Sequence, residues 1–146
     1  MSINSSITGL WKGEFTLGPE YGSREGKSFD FTAELNEDDD FSIEGVCEEG
    51  ETKDLFKEPV TINGFRDDEF ISFVKKYPCL VLVDEQGKYF TEKEKEHPDI
   101  EYEGELDPET GRLQGTFSTY NIMEDPNGRR FEVVFTGTWF LHRSES

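Results

Sequence analysis

Four side chains in this 146-residue chain have the chemistry to ligate a transition metal or to act as nucleophile and base: Cys47, Cys79, His97 and His142. Zinc sites gather cysteine and histidine at short spacings, and no Cys-x-x-Cys or His-x-x-x-His occurs here, so no metal site is expected. The stretch "NEDDDFSIE", residues 36–44, concentrates carboxylates. A calcium loop beginning at Asp38 would need glycine where Ile43 stands, so this stretch reads as the acidic tip of a hairpin. Paired inward carboxylates, a phosphate-cradling glycine loop with its lysine, and a nucleophile–base triad are all missing from the pattern. No catalytic residue and no cofactor is therefore expected, and the chain reads as a non-enzyme. Cys47 fits better as a small core residue than as a reactive thiol.

Those side chains can only meet if the surrounding elements bring them together, and the elements are strands. In "FDFTAEL", Phe29, Phe31, Ala33 and Leu35 share one face while Asp30, Thr32 and Glu34 share the other. The alternation resumes after "NEDDD" with Phe41, Ile43, Gly45 and Cys47 inward, which describes a hairpin with one wet face. It returns in "IEYEGEL", where Ile100, Tyr102, Gly104 and Leu106 align. The turn "DPETG" follows, and "RLQGTFSTY" then places Leu113, Gly115, Phe117 and Thr119 inward. The last strand carries an apolar face from Phe131 through Val133, Phe135, Gly137 and Trp139 to Leu141. The first groups Ile7, Gly9, Trp11, Gly13, Phe15 and Leu17.

The middle of the chain is less regular. "VTINGFRDDEFISFV" predicts two strands joined at Asp67-Asp68, pairing Ile62 with Phe73 and Gly64 with Ile71. "CLVLVDEQGKYF" predicts a short buried run, a turn around Glu85 to Gly87 and another strand. "TEKEKEHP", residues 91–98, has no apolar stripe and reads as a solvated loop. The expected fold is all-β: one domain over residues 1–146, an antiparallel up-and-down barrel of about eight to ten strands whose last strand closes against its first. Inward glycines let a closing sheet bend and leave room for rings.

Composition limits the partners. The net charge is −18, from 15 basic and 33 acidic residues. Such a surface repels phosphate backbones and anionic headgroups, which argues against nucleic-acid and membrane partners. Two cysteines make no disulfide framework. "MSINSSIT" lacks the basic start and apolar core of a signal peptide, and no run nears the ~20 residues of a membrane span, so a cytoplasmic location is expected.

The segment "GLWKG" with "GTWFLHR" at the end of the last strand resembles the calycins, the superfamily of lipocalins, fatty-acid-binding proteins and avidins. The resemblance implies a calycin-like barrel in which Arg143 lies over Trp11 as a structural closure of one end. Gly9 to Gly13, Ile71 to Pro78 and Ile100 to Gly115 also resemble segments of an uncharacterised group of small bacterial proteins, which brings no activity with it. Fatty-acid-binding proteins insert a helical lid after their first strand, whereas "GPEYGSREGK" is short and turn-like. Their Arg-x-Tyr on the last strand and the avidins' Asn- and Ser-bearing biotin loop have no counterpart here. "YEGELDPETGRLQGTF" is similar to one MORN-type repeat, too few for an array.

Two functional expectations follow. In the first, the interior binds a small hydrophobic ligand lined by Phe31, Phe73, Tyr102, Phe117 and Trp139, entering away from Trp11 and Arg143. In the second, rings fill the barrel, and the protein is an interaction or structural module acting through outer-face apolar residues. Leu10, Val134 and Phe140 would then join a homodimer, with Phe65 and Phe70 facing each other outward on the middle hairpin.

Overall fold

A computed structural model describes residues 6–50, 55–56, 58–84, 86 and 88–144. Ten strands follow the alternation of the sequence: β1 Gly9–Leu17, β2 Ser28–Glu37, β3 Ser42–Glu49, β4 Val60–Asp67, β5 Phe70–Lys76, β6 Leu80–Val83, β7 Tyr89–Glu92, β8 Ile100–Leu106, β9 Leu113–Glu124 and β10 Arg130–Arg143. Eight of them form a closed barrel in the order β1-β10-β9-β8-β5-β4-β3-β2, and every pairing is antiparallel. The expected up-and-down barrel is the observed fold. Among the described residues β6 and β7 form a separate two-stranded sheet, a flap inserted between β5 and β8. The segment after β1 forms a short 3-10 helix, Pro19–Arg24. The expected turn at Glu85 and Gly87 falls on residues outside those described.

Closure fixes two ends. The register Trp11↔Arg143 zips β1 to β10. Arg143 lays its guanidinium 4.6 Å above the Trp11 ring, a cation–π contact worth about 0.5–2 kcal/mol. The same guanidinium donates to the carbonyls of Thr8 (2.8 Å) and Ser6 (3.0 Å), and the Trp11 indole N–H donates to Ile7 O at 2.8 Å. Gly9 has φ +142°, and a Cβ there would meet the Arg143 guanidinium. At Gly13 a Cβ would collide with the Phe140 carbonyl, so glycine lets β1 and β10 approach closely.

Above this closed end the rings interlock. Phe73 stacks on Tyr102 at 4.8 Å, Trp139 meets both edge-on at 5.4 and 5.6 Å, and Phe31 lies 5.8 Å from Tyr102. Trp139 donates its indole N–H to Thr116 O at 3.0 Å and to Glu103 O at 3.2 Å, its ring lying in space that Gly104 leaves open.

Three details of the expectation are corrected. The β4–β5 turn is Asp68-Glu69, closed by Asp67↔Phe70, so Gly64 pairs with Phe73 and Ile62 with Lys75. Asp68 takes φ +52°, a left-handed conformation that aspartate tolerates better than most residues. The slip moves each pairing by two residues, so every side chain keeps its face, and Phe65 and Phe70 remain outer neighbours at 6.1 Å. Phe41 is not inward: it lies in the β2–β3 turn at φ +67°, exposed, with Arg66 over its ring at 5.8 Å. Asp38 organises that turn by accepting from the N–H groups of Asp40 and Ser42. Finally, Phe131 is 47% exposed because the outer parts of β9 and β10 extend past the barrel as a two-stranded ribbon.

Candidate functional site: the open end of the barrel

The interior is not wholly apolar. Strand alternation carries β3 from Ile43 and Cys47 to Glu49, and β5 from Ile71 and Phe73 to Lys75, and both charged side chains are 1% exposed. At the closed end, Arg66 likewise turns inward and donates from Nε to Glu37 Oε2 at 2.8 Å, while Glu37 Oε1 accepts from Ile7 N at 2.9 Å. The expected interior polar residues were only Cys47, Tyr102 and Thr119. Reading each alternation to the end of its strand is the signal that finds Glu49, Arg66 and Lys75.

Lys75 Nζ donates to Glu49 Oε2 and, at 2.8 Å, to the Tyr102 hydroxyl. Tyr77 OH donates to the second Glu49 oxygen at 2.5 Å. The ammonium also lies 4.7 Å from the Phe15 ring centre, 5.1 Å from Tyr102, 5.3 Å from Tyr77 and 5.4 Å from Phe31. It therefore occupies an aromatic cage built by its own chain. Burial is the largest single influence and would lower the Lys75 pKa, but the Glu49 carboxylate together with Tyr102, Tyr77 and Cys47 more than offsets it and holds the ammonium well above the usual lysine range. Burial, with the Glu49 charge added, pushes Tyr77 far up, and burial raises Tyr102 as well, so both remain neutral phenols. A buried charge is tolerable only when it is paired and hydrogen-bonded, and this one is both.

Beside this cluster is a cavity of about 280 Å³. Phe15, Leu17, Phe29, Ile100, Phe117 and Phe135 supply apolar walls, with Lys75, Glu49 and Tyr102 at its inner end. Tyr21 of the 3-10 helix also lines it, its ring tilted against Phe135 at 5.0 Å; burial pushes its phenol up to about 12. The flap contributes Val81, Leu82 and Tyr89. Val81 N–H donates to His97 Nδ1 at 3.1 Å, and His97 sits edge-on to Tyr77 at 4.8 Å. Arg24 donates to the Tyr89 hydroxyl from the facing 3-10 helix. His97 is thus no member of a solvated loop. Burial, then the Lys75 charge, lowers its pKa to about 4, leaving a neutral imidazole at neutral pH.

Of the residues expected to line a ligand cavity, Tyr102 and Phe117 do so. Phe31, Phe73 and Trp139 pack around Tyr102 deeper in the barrel, between the cavity and Trp11. The four candidate metal or nucleophile residues are not brought together: Cys47 is inside the barrel on β3, Cys79 is buried just ahead of β6, His97 is beside the flap, and His142 is exposed on β10. Burial pushes the Cys47 thiol up to about 12, which holds it as an unreactive thiol. Among the described residues no group of three His, Cys, Asp or Glu is arranged to hold a metal. No described helix is long and apolar enough to cross a membrane.

Leu10, Val134 and Phe140 do not form one patch. Phe140 lies opposite Glu14, with the Arg112 guanidinium 3.9 Å over its ring. Leu10 is near the closed end, and Val134 is on the projecting ribbon opposite Tyr120.

No family model matches the chain, and no curated protein does. Among solved structures, the crystal structure of rhizavidin is similar over 92% of this chain and 84% of that one, with a TM-score of 0.47 and 11% identity. The strand pairing itself defines the fold. It is a closed, eight-stranded antiparallel barrel. With Gly9 and Trp11 on its first strand and Arg143 on its last, it has the architecture that the calycin resemblance implies.

Proposed function

We propose that the protein is a non-catalytic binder of a small molecule, which enters the open end and lays its apolar body among Phe15, Phe117 and Phe135. The observation that carries this reading is the cavity of about 280 Å³, left unfilled above a barrel otherwise packed with rings. Its volume lies near the lower end of the roughly 300–1,000 Å³ typical of small-molecule pockets, which favours a compact ligand. The acids and bases around it favour binding over reaction: the phenols of Tyr21, Tyr77 and Tyr102 and the imidazole of His97 are held neutral, and the Lys75 ammonium is paired.

The test is native mass spectrometry of freshly purified protein together with titration by phenylnaphthylamine, a neutral fluorophore. Saturable one-to-one binding with energy transfer from the buried tryptophans is expected. A protein that carries no ligand and shows no saturable signal would overturn the reading.

A second reading has its own observation. Tyr120, Ile122 and Val134 are exposed together on the outer face of the β9–β10 ribbon, Ile122 by 64%. A homodimer through this face would be the alternative function, with Leu10 and Phe140 contributing little because they lie elsewhere. Sedimentation of wild type and Ile122→Glu at high micromolar concentration decides it: a dimer that the variant dissolves supports this reading, and a monomer rejects it.

A further inference from the structure

The charges around the cavity are unlike those of the molecule that surrounds it. The chain carries −18, yet among the described residues the charged side chains lining this space are Lys75, Glu49 and Arg24. Lys75 and Glu49 neutralise each other, and His97 is uncharged, so the described lining is left with one positive charge. That charge belongs to Arg24. Its guanidinium lies 5.9 Å from the Phe29 ring centre and 5.4 Å from that of Tyr89, and donates to the Tyr89 hydroxyl. No described carboxylate lies within ion-pair distance of it, in a chain where acids outnumber bases by more than two to one. Asn121, on β9, presents a side-chain amide to the same cavity with no hydrogen-bond partner among the described residues.

We infer that the ligand is an organic anion, its apolar body in the cavity and its carboxylate or other acidic oxygens held by Arg24 with the Asn121 amide beside it. This assignment rests on the cavity being a ligand site, as proposed above. Three considerations fix the polarity. A guanidinium presents a planar fork of donors suited to an oxyanion, and one donor to Tyr89 OH leaves others available. A cationic ligand would face the uncompensated charge of Arg24, and the aromatic cage that would otherwise attract it is already occupied by Lys75. The ligand's acidic group also has no reason to travel to Lys75, whose charge Glu49 has already neutralised.

Two probes that share a ring system separate this inference from the reading beneath it: anilinonaphthalenesulfonate, an anion, and phenylnaphthylamine, which lacks the sulfonate. Both are titrated into wild type, Arg24→Gln and Arg24→Lys, with thermal melts to confirm folding. In wild type the sulfonate should bind about tenfold more tightly than its neutral counterpart, the size of one charge-assisted contact. Arg24→Gln should erase that preference and leave the neutral probe within about twofold, Arg24→Lys should retain part of it, and added salt should weaken only the anion. If both probes bind and the sulfonate has no advantage, or Arg24→Gln leaves the advantage intact, the anion subsite is wrong while the cavity stands. If neither binds wild type, the cavity reading fails and the subsite with it.

Discussion

At the scale of single residues, the most consequential side chain is Lys75. Its ammonium is stable in the barrel because Glu49, Tyr102 and four rings surround it. Removing one partner of such a pair strands the other charge out of water. Lys75→Met should therefore cost about 3–5 kcal/mol in urea unfolding, and the double change Lys75→Met/Glu49→Leu should recover most of that loss. If the double variant is no more stable than the single, the pair is not acting as a unit. His97 makes a second prediction. Its folded pKa of about 4 lies below the usual 6.5, so the unfolded chain takes up the proton first as pH falls. The stability that a neutral His97 confers is complete above about pH 6.5 and is lost progressively toward pH 4. Melting temperatures across that window should fall more steeply for wild type than for His97→Asn, whose amide oxygen can still accept from Val81 N–H without protonating. Neither residue's role was legible in the sequence. A lysine at the end of an apolar alternation looks like the strand's exit into water unless its partner is known, and Glu49 is held on β3 with β4 between them.

At the scale of the strand, alternation predicted most of the elements because a half-buried strand must place every second side chain in the core. The slip at Asp68-Glu69 changed partners and left the faces untouched. Close approach at the seam yields a sharper test. Gly13→Val would put a branched side chain against the backbone of β10 and should cost at least about 1–3 kcal/mol by chemical denaturation, the usual penalty of overpacking. On the projecting ribbon Ile122→Ser should stay within about 0.5 kcal/mol, because that side chain is exposed. Equal losses at the two sites would contradict the assignment of seam and overhang. What alternation could not reveal is where the barrel stops: the apolar face of β10 continues from Leu141 to Phe131, but its neighbours end sooner. β1 accompanies β10 to Gly137, and β8 accompanies β9 to Thr119.

At the scale of the whole molecule, a charge of −18 on a small barrel repels itself. Raising sodium chloride from about 20 to about 300 mM shortens the screening length severalfold and should raise the melting temperature; an unchanged melt would show the acidic groups to be too dispersed to matter. The sequence by itself determined the all-β class, the antiparallel succession and, apart from Phe41 and Phe131, the inward set from Trp11 to Leu141, because each of these follows from a local period of two. It also marked Trp11 and Arg143, through a resemblance, as the two sides of one closed end. Only the tertiary structure decided which residues face one another across the lumen. Glu49 meets Lys75, Arg24 meets Tyr89, and His97 accepts from Val81 only once the sheet has closed and the β6–β7 flap has folded beside its mouth. Burial and electrostatics depend on these encounters between distant segments, and periodicity along a strand carries no information about what lies opposite it.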